Sequence, residues 1–343
     1  MVLADLLPDV TAVHAATVAV ATGVVWIGSG WFERAAERLS AHYGLPAAIQ
    51  GSLVVAVGSS FPELAVVVVS ALGGALDVGI GSIVGSAIFN VLVIPALSGV
   101  ATDDSLDASR TIVYKEAQFY MLAVSVLVLT FALAVIYYPV GGPALSGTVT
   151  RPLAAIPLGL YGLYLFIQWQ DVGDHDPHLP GDVAVRQQWI RFVAGLAAIL
   201  LGVELLVGSV ESLAATFGVP AFLAGATVLA AASSLPDTLV SVRAARDGNS
   251  LTTLGNVLGS NTFDLLVAIP AGVLVAGVWT VDFALAIPMM GVLTLATILL
   301  FAFLRTDLSL SRPEAYALAT AYIAFVVWVA AETVGATDVI TSV

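Results

Sequence analysis

Apolar stretches of about 20 residues follow one another along almost the whole chain, separated by short segments rich in charge, glycine or proline. A helix of about 20 apolar residues crosses the hydrocarbon core of a bilayer. Ten such stretches stand out, at about 10–31, 46–72, 79–100, 116–137, 152–169, 190–215, 220–242, 251–276, 283–304 and 314–334. The longest polar interval, about 170–189, is too short for a globular domain and reads as a loop. The pattern predicts an all-α polytopic membrane protein with ten transmembrane helices. The opening residues, "MVLADLLPD", carry acids and lack the basic segment of a cleavable signal peptide.

Composition agrees and narrows the chemistry. Of 343 residues, 59% are hydrophobic and only 10% charged, against about a quarter charged in soluble domains. There is no cysteine, so disulfides and thiolate metal sites are excluded. A net charge of −13 with a single lysine, Lys115, argues against nucleic acid as a partner. With ten spans, one set of loops holds Arg34, Arg38, Arg110, Lys115, Arg186, Arg191, Arg243, Arg246, Arg305 and Arg312, and the other holds only Arg151. The positive-inside rule places the first set in the cytoplasm and both termini outside, in a cell-membrane protein.

The apolar pattern also repeats. "AVGSSFPELAV" (56–66) and "AASSLPDTLVS" (230–240) share a Ser-Ser-x-Pro-acid core, with Ser59, Ser60 and Pro62 matching Ser233, Ser234 and Pro236. At the same offset "GSIVGSAIFN" (81–90) matches "GNVLGSNTFD" (255–264), and 19 of 51 positions are identical between 44–94 and 218–268. The offset spans five apolar stretches, an odd number, so the second copy must enter the membrane from the opposite side. The division expected is a first five-helix repeat at 1–170, a cytoplasmic linker at 171–189 and a second at 190–343. Inverted repeats of this kind carry a substrate site near the midplane.

Polar residues in the repeats supply the chemistry. Pro62 and Pro236 fall near mid-span, where proline removes a hydrogen bond, so a broken helix is expected at each. Freed carbonyls at membrane depth require protein, water or an ion as partner. Glu63, Asp237 and Asp264 lie within spans, where each ionised carboxylate costs roughly 2.5–3.5 kcal/mol. No lysine or arginine lies deep in a predicted span, so the counter-charge must come from solution. Ser60 shares a helix face with Glu63, and Ser234 with Asp237; Ser86 does so with Asn90, and Ser260 with Asp264. Carboxylate, hydroxyl, amide and carbonyl oxygens are the hard ligands that Ca²⁺ and Na⁺ prefer. Gly81 and Gly85, like Gly255 and Gly259, form GxxxG steps suited to close helix packing.

"GSSFPEL" with "GSIVGSAIFN", and "SSLPDT" with "GNVLGSNTFD", resemble the two α-repeats of sodium/calcium exchangers of the calcium/cation antiporter superfamily. The resemblance implies an electrogenic antiporter that exchanges Na⁺ for Ca²⁺ by alternating access. It implies Glu63 and Asp237 as the main calcium carboxylates, and Ser59, Ser60, Ser233 and Ser234 with nearby carbonyls as completing the ion sites. Asn90 and Asp264 would be their partners, with Ser86 and Ser260 one turn away, and spans one and six a sliding pair beside the core. The transported ions are the only ligands implied; no cofactor and no protein partner is. Departures from the family pattern are Ser82 and Ala87 in place of asparagine, Ala232 in place of glycine, and Asp237 as the shorter acid. "GSNTFD" also resembles the potassium-dependent branch, where the acid at Asp264 is linked to K⁺.

A Ca²⁺/H⁺ exchanger of the same superfamily is the nearest rival, but it places an acid where this chain has Gly85, Ser86, Gly259 and Ser260. No enzyme is expected: an intramembrane aspartyl protease would show GxGD, which is missing. The loop "DVGDHDPHLPGD" (171–182), with Asp174, His175, Asp176 and His178, reads as a solvated acidic loop rather than a metal site. Glu204, inside the sixth span, either lines a permeation route or reaches a polar crevice.

Overall fold

The computed structural model describes residues 3–44, 56–102, 105–141, 145–171 and 184–337. Among them nine helices are long and apolar enough to cross a membrane. These are α1 (Thr11–His42), α4 (Leu76–Ala101), α5 (Ile112–Tyr137), α6 (Arg151–Asp171), α7 (Val185–Phe217), α8 (Ala221–Arg246), α9 (Ser250–Ala276), α10 (Phe283–Arg305) and α11 (Arg312–Thr333). The described part of the remaining predicted span is two pieces, α2 (Ala56–Ser59) and α3 (Phe61–Gly73). The rest of that span and nearly all of the 171–182 loop lie outside the described residues.

Burial sorts the helices. In α4, small and apolar residues run all round the cylinder, and nearly every position from Leu76 to Gly99 is buried; a helix apolar on every side belongs in a core. It packs against α3, α8, α10 and α11. The outer helices instead show bulky apolar side chains to their surroundings, among them Val20, Leu129, Leu295 and Ile323. Such a surface suits lipid, where leucine costs nothing to expose.

Along one side α1 lies against α7. At 32 and 33 residues these helices are about 48–50 Å long, longer than the hydrocarbon core. They meet through glycine: a Cβ on Gly28 would stand 3.0 Å from the Gly195 carbonyl, and one on Gly195 would stand 2.7 Å from the Phe32 nitrogen. Gly202, the second-copy counterpart of Gly28, meets Val25 in the same seam.

Short strands tie the loops together. A three-stranded antiparallel sheet joins β2 (Pro139–Val140), β3 (Ser146–Thr150) and β4 (Val278–Asp282). β1 (Leu106–Asp107) pairs with β5 (Ser309–Leu310). The sheet joins the loop before α6 to the loop before α10, while the strand pair joins the loop after α4 to the loop after α10. Alternating membrane crossings require that grouping. Trp279 of β4 donates to Asp77 at the start of α4 (2.7 Å), which gives this acid a structural post outside the site.

The two prolines behave differently. The chain breaks at Ser60, between α2 and α3, with Pro62 in the first turn of α3, where its missing N–H is no loss. In the second copy the expected break is not at Pro236: the helix runs through it, and the irregularity is a π-helical turn upstream, Gly225–Leu229. The wider turn takes up the extra backbone that a break would otherwise absorb. Pro236 still leaves the Ala232 carbonyl without its helical donor.

Candidate functional site

The polar residues singled out by sequence lie on α2, α3, α4, α8 and α9 and, for Ser60, in the break between α2 and α3, buried at the centre of this packing. Ser59, Ser60, Glu63, Ser86, Asn90, Ser233, Ser234, Asp237, Ser260 and Asp264 are each 9% exposed or less. Glycine contacts from both sides, Gly81 and Gly85 of α4 and Gly225 of α8, let the helices close on one another. A Cβ on Gly81 would overlap the Phe222 carbonyl, and one on Gly85 would overlap the Ala226 carbonyl, so only glycine permits this crossing of α4 and α8. Gly255 and Gly259 meet no described residue; positions 48 and 52, the first-copy counterparts of Phe222 and Ala226, lie outside the described residues.

Each copy of the Ser-Ser-x-Pro motif faces the other copy's Gly-Ser motif. The hydroxyls of Ser59 and Ser260 are 3.3 Å apart, and those of Ser233 and Ser86 are 3.2 Å apart. These are one contact seen twice, since Ser233 and Ser260 are the second-copy counterparts of Ser59 and Ser86. Ser234 also donates to Ser86 (3.0 Å), and Ser233 to the Ala230 carbonyl (3.2 Å).

The acids sit within this hydroxyl frame. Both carboxyl oxygens of Glu63 and both of Asp264 are buried with no hydrogen-bond partner, as are the Ser60 hydroxyl and the Asn90 carbonyl oxygen. Asp264 opens a π-helical turn, Asp264–Ala268, in α9, an irregularity common at functional sites. Asp264 and then Asp237 are the like charges that act on Glu63. Among the described residues no three acids or histidines draw together as a compact metal cluster. What converges is a mixed set of carboxylate, hydroxyl and amide oxygens. Unpaired buried carboxylates are costly unless a cation or a proton meets them, and oxygen sets of this kind suit hard cations.

Three features escaped the sequence reading. Asn261 of α9 is fully buried; it accepts from Asn90 Nδ2 (3.0 Å) and donates to the Ala87 carbonyl (3.1 Å) and Tyr120 hydroxyl (3.3 Å). The signal was present as an asparagine standing opposite Ala87 in otherwise matched motifs. Glu33 of α1 borders Gly58, where a Cβ would lie 3.6 Å from Glu33 Cγ, and acts on Asp237 as a like charge. Near the start of α5, Glu116 accepts from Tyr164 (2.9 Å) and Gln168 (2.9 Å) of α6. The question over Glu204 is also answered in part: its Oε1 accepts from the Leu3 amide (3.1 Å), tying the N-terminal segment to α7.

Comparison with known proteins agrees with this frame. The family model described as sodium/calcium exchanger protein matches twice, over residues 13–170 and 187–331. The chain belongs to that family. A putative antiporter, CaxA of Alkalimonas amylolytica, is 29% identical over 276 residues, covering 76% of this chain and 81% of its own. The sodium/calcium exchanger MaX1 of Methanosarcina acetivorans is 26% identical over 339 residues, covering 89% and 95%. Among solved structures, the sodium-calcium exchanger NCX_Mj soaked with Na⁺ and Sr²⁺ superposes with a TM-score of 0.62 at 21% identity, covering 92% of this chain and 97% of that one. At that identity the likeness is one of fold. Members of the family move Na⁺ and Ca²⁺ without a cofactor.

Proposed function

We propose that the chain exchanges Na⁺ for Ca²⁺ across the cell membrane by alternating access, moving net charge, through a site built from the two motif copies. Glu63 and Asp237 are the principal Ca²⁺ carboxylates. Ser59, Ser60, Ser233 and Ser234, with the Ala232 carbonyl freed by Pro236, complete the Na⁺ and Ca²⁺ positions. Asn90 and Asp264, with Ser86 and Ser260 a turn away, close the site from α4 and α9. The halves 1–170 and 190–343 are inverted five-helix units, both termini outside and the linker in the cytoplasm. The observation that supports this most is the set of four buried carboxyl oxygens on Glu63 and Asp264 without a partner, in a family whose members move these cations.

Charge balance makes the exchange obligatory. Two or three buried carboxylates tolerate one divalent ion or several monovalent ions, but not both sets together, and an empty site costs more than either. Asp264 supports a second reading, in which K⁺ travels with Ca²⁺, because the second copy carries an acid where the first has Asn90. The test is Ca²⁺ uptake into Na⁺-loaded liposomes of purified protein at clamped pH, with K⁺ absent and then restored. Uptake without K⁺ is expected. Uptake only with K⁺ would favour the second reading, and uptake driven only by a proton gradient would overturn both.

A further inference from the structure

The geometry points to Asn261 as the positioning residue that turns the Asn90 carbonyl oxygen toward the cation, an inference that rests on the exchanger reading above. The Ala87 carbonyl is an acceptor only, and one polar atom of the Asn261 amide lies 3.1 Å from it. That atom must be the nitrogen, because the oxygen would set two acceptors together with no proton between them. The Tyr120 hydroxyl, 3.3 Å from the same nitrogen, accommodates either role and takes the second proton. Asn261 Oδ1 therefore faces Asn90.

The Asn90 amide is fixed in the same way. Asn90 meets Asn261 Oδ1 at 3.0 Å and must present its nitrogen there. Its oxygen is then turned to the opposite edge, buried and without any donor. An oxygen in that state has its lone pairs open to a cation. Had Asn90 been reversed, two N–H bonds would point from it into the site and repel the ion. The chain of constraints runs from the Ala87 carbonyl through Asn261 to Asn90 and costs no charged group. Ala87 and Asn261 occupy matched positions of the two motifs. The amide that aims the first copy's ligand is thus supplied by the second copy.

The test is equilibrium binding of radiolabelled Ca²⁺ to the purified full chain, with Na⁺ competition. Asn261→Ala frees Asn90 to rotate, and Ca²⁺ affinity is expected to fall about 10- to 100-fold, the range for lost outer-shell partners. Asn90→Asp added to Asn261→Ala should recover most of that loss, since a carboxylate presents an oxygen in either orientation. Asn90→Asp alone is the reference: a positioning role predicts that Asn261→Ala costs little in that background, and a purely structural role predicts that it costs as much as in the wild type. Asn261→Leu keeps the volume should the alanine variant fail to fold. Tyr120→Phe, which leaves Asn261 in place, should weaken binding about two- to tenfold. Unchanged affinity in these variants, or a loss that Asn90→Asp does not recover, overturns the inference while wild-type binding leaves the exchanger reading standing. Wild-type protein that binds neither Ca²⁺ nor Na⁺ brings down both.

Discussion

The two motif copies have kept their backbone roles and divided their chemistry. At the serines they are images: Ser59 meets Ser260 as Ser233 meets Ser86, at nearly the same separation (3.3 and 3.2 Å). Among the positions that differ, three bear on the site. Asn90 stands against Asp264, Ala87 against Asn261, and Glu63 against Asp237. The hydroxyl frame needs both copies because Ser59, Ser233 and Ser234 each meet a hydroxyl of the other copy. Charge does not, because one extra carboxylate changes which ions the whole site balances.

That comparison can be broken at its strongest point first. Glu63→Gln and Asp237→Asn should each remove about 3–5 kcal/mol of cation binding, more than about a 100-fold loss. Ca²⁺ uptake in liposomes should vanish while gel filtration stays normal, and near-normal uptake in either variant removes that acid from the site. Asp264→Asn comes next, since it gives the second copy the first copy's amide. It should shift the Na⁺ or K⁺ dependence of uptake more than the expression level; an unaltered ion dependence would count against its role. Smaller again, Ser59→Ala and Ser233→Ala should each cost about 0.5–1.5 kcal/mol, two- to tenfold in apparent affinity. Both break the same inter-copy contact, and Ser233→Ala also removes the bond to the Ala230 carbonyl, so its effect should be equal or slightly larger. A large inequality would mean that one serine binds the ion directly while the other only supports the frame. The mildest test leaves function intact. The chain has no cysteine, so Asp247→Cys, in the exposed turn after α8, should react with an impermeant thiol reagent from the cytoplasmic side alone. Labelling from outside would reverse the proposed topology.

Much of this was legible in sequence because membrane solvation leaves polar residues little freedom. An acid such as Glu63 or Asp264 inside an apolar run has few structural explanations, and helical spacing linked each to its serine or asparagine. The apolar runs themselves marked every long helix now described. Asn261 was missed for a geometric reason. It follows Ser260 directly and so falls about 100° round the helix, off the face that links Ser260 to Asp264. Its partner Ala87 is on α4, far back along the chain, and no local spacing reports that contact. The π-helical turns at Gly225–Leu229 and Asp264–Ala268 were equally hidden. A proline announces a lost hydrogen bond, but neighbouring packing decides whether the helix breaks beside it, as at Ser60, or carries on, as at Pro236. The strands β2, β3 and β4 are each five residues or fewer, too short for alternation to show.

The glycine seam between α1 and α7 has a mechanical consequence. Backbone lies against backbone at Gly28 and Gly195, and Val25 and Phe32 of α1 interlock with Ile199 and Val203 of α7 around that contact, so the two helices behave as one long rod. Much of that rod's outward surface is apolar, and lipid tails are as apolar as leucine. Displacing it along the membrane normal swaps like for like over most of its length, so solvation holds it only weakly. Its resting position is therefore set by its packing on α3 and α8 and by the approach of Glu33 on α1 to Gly58 on α2. In the proposed exchanger a cation at Asp237 would change the charge that Glu33 of the rod faces, and so couple ion binding to the rod's position.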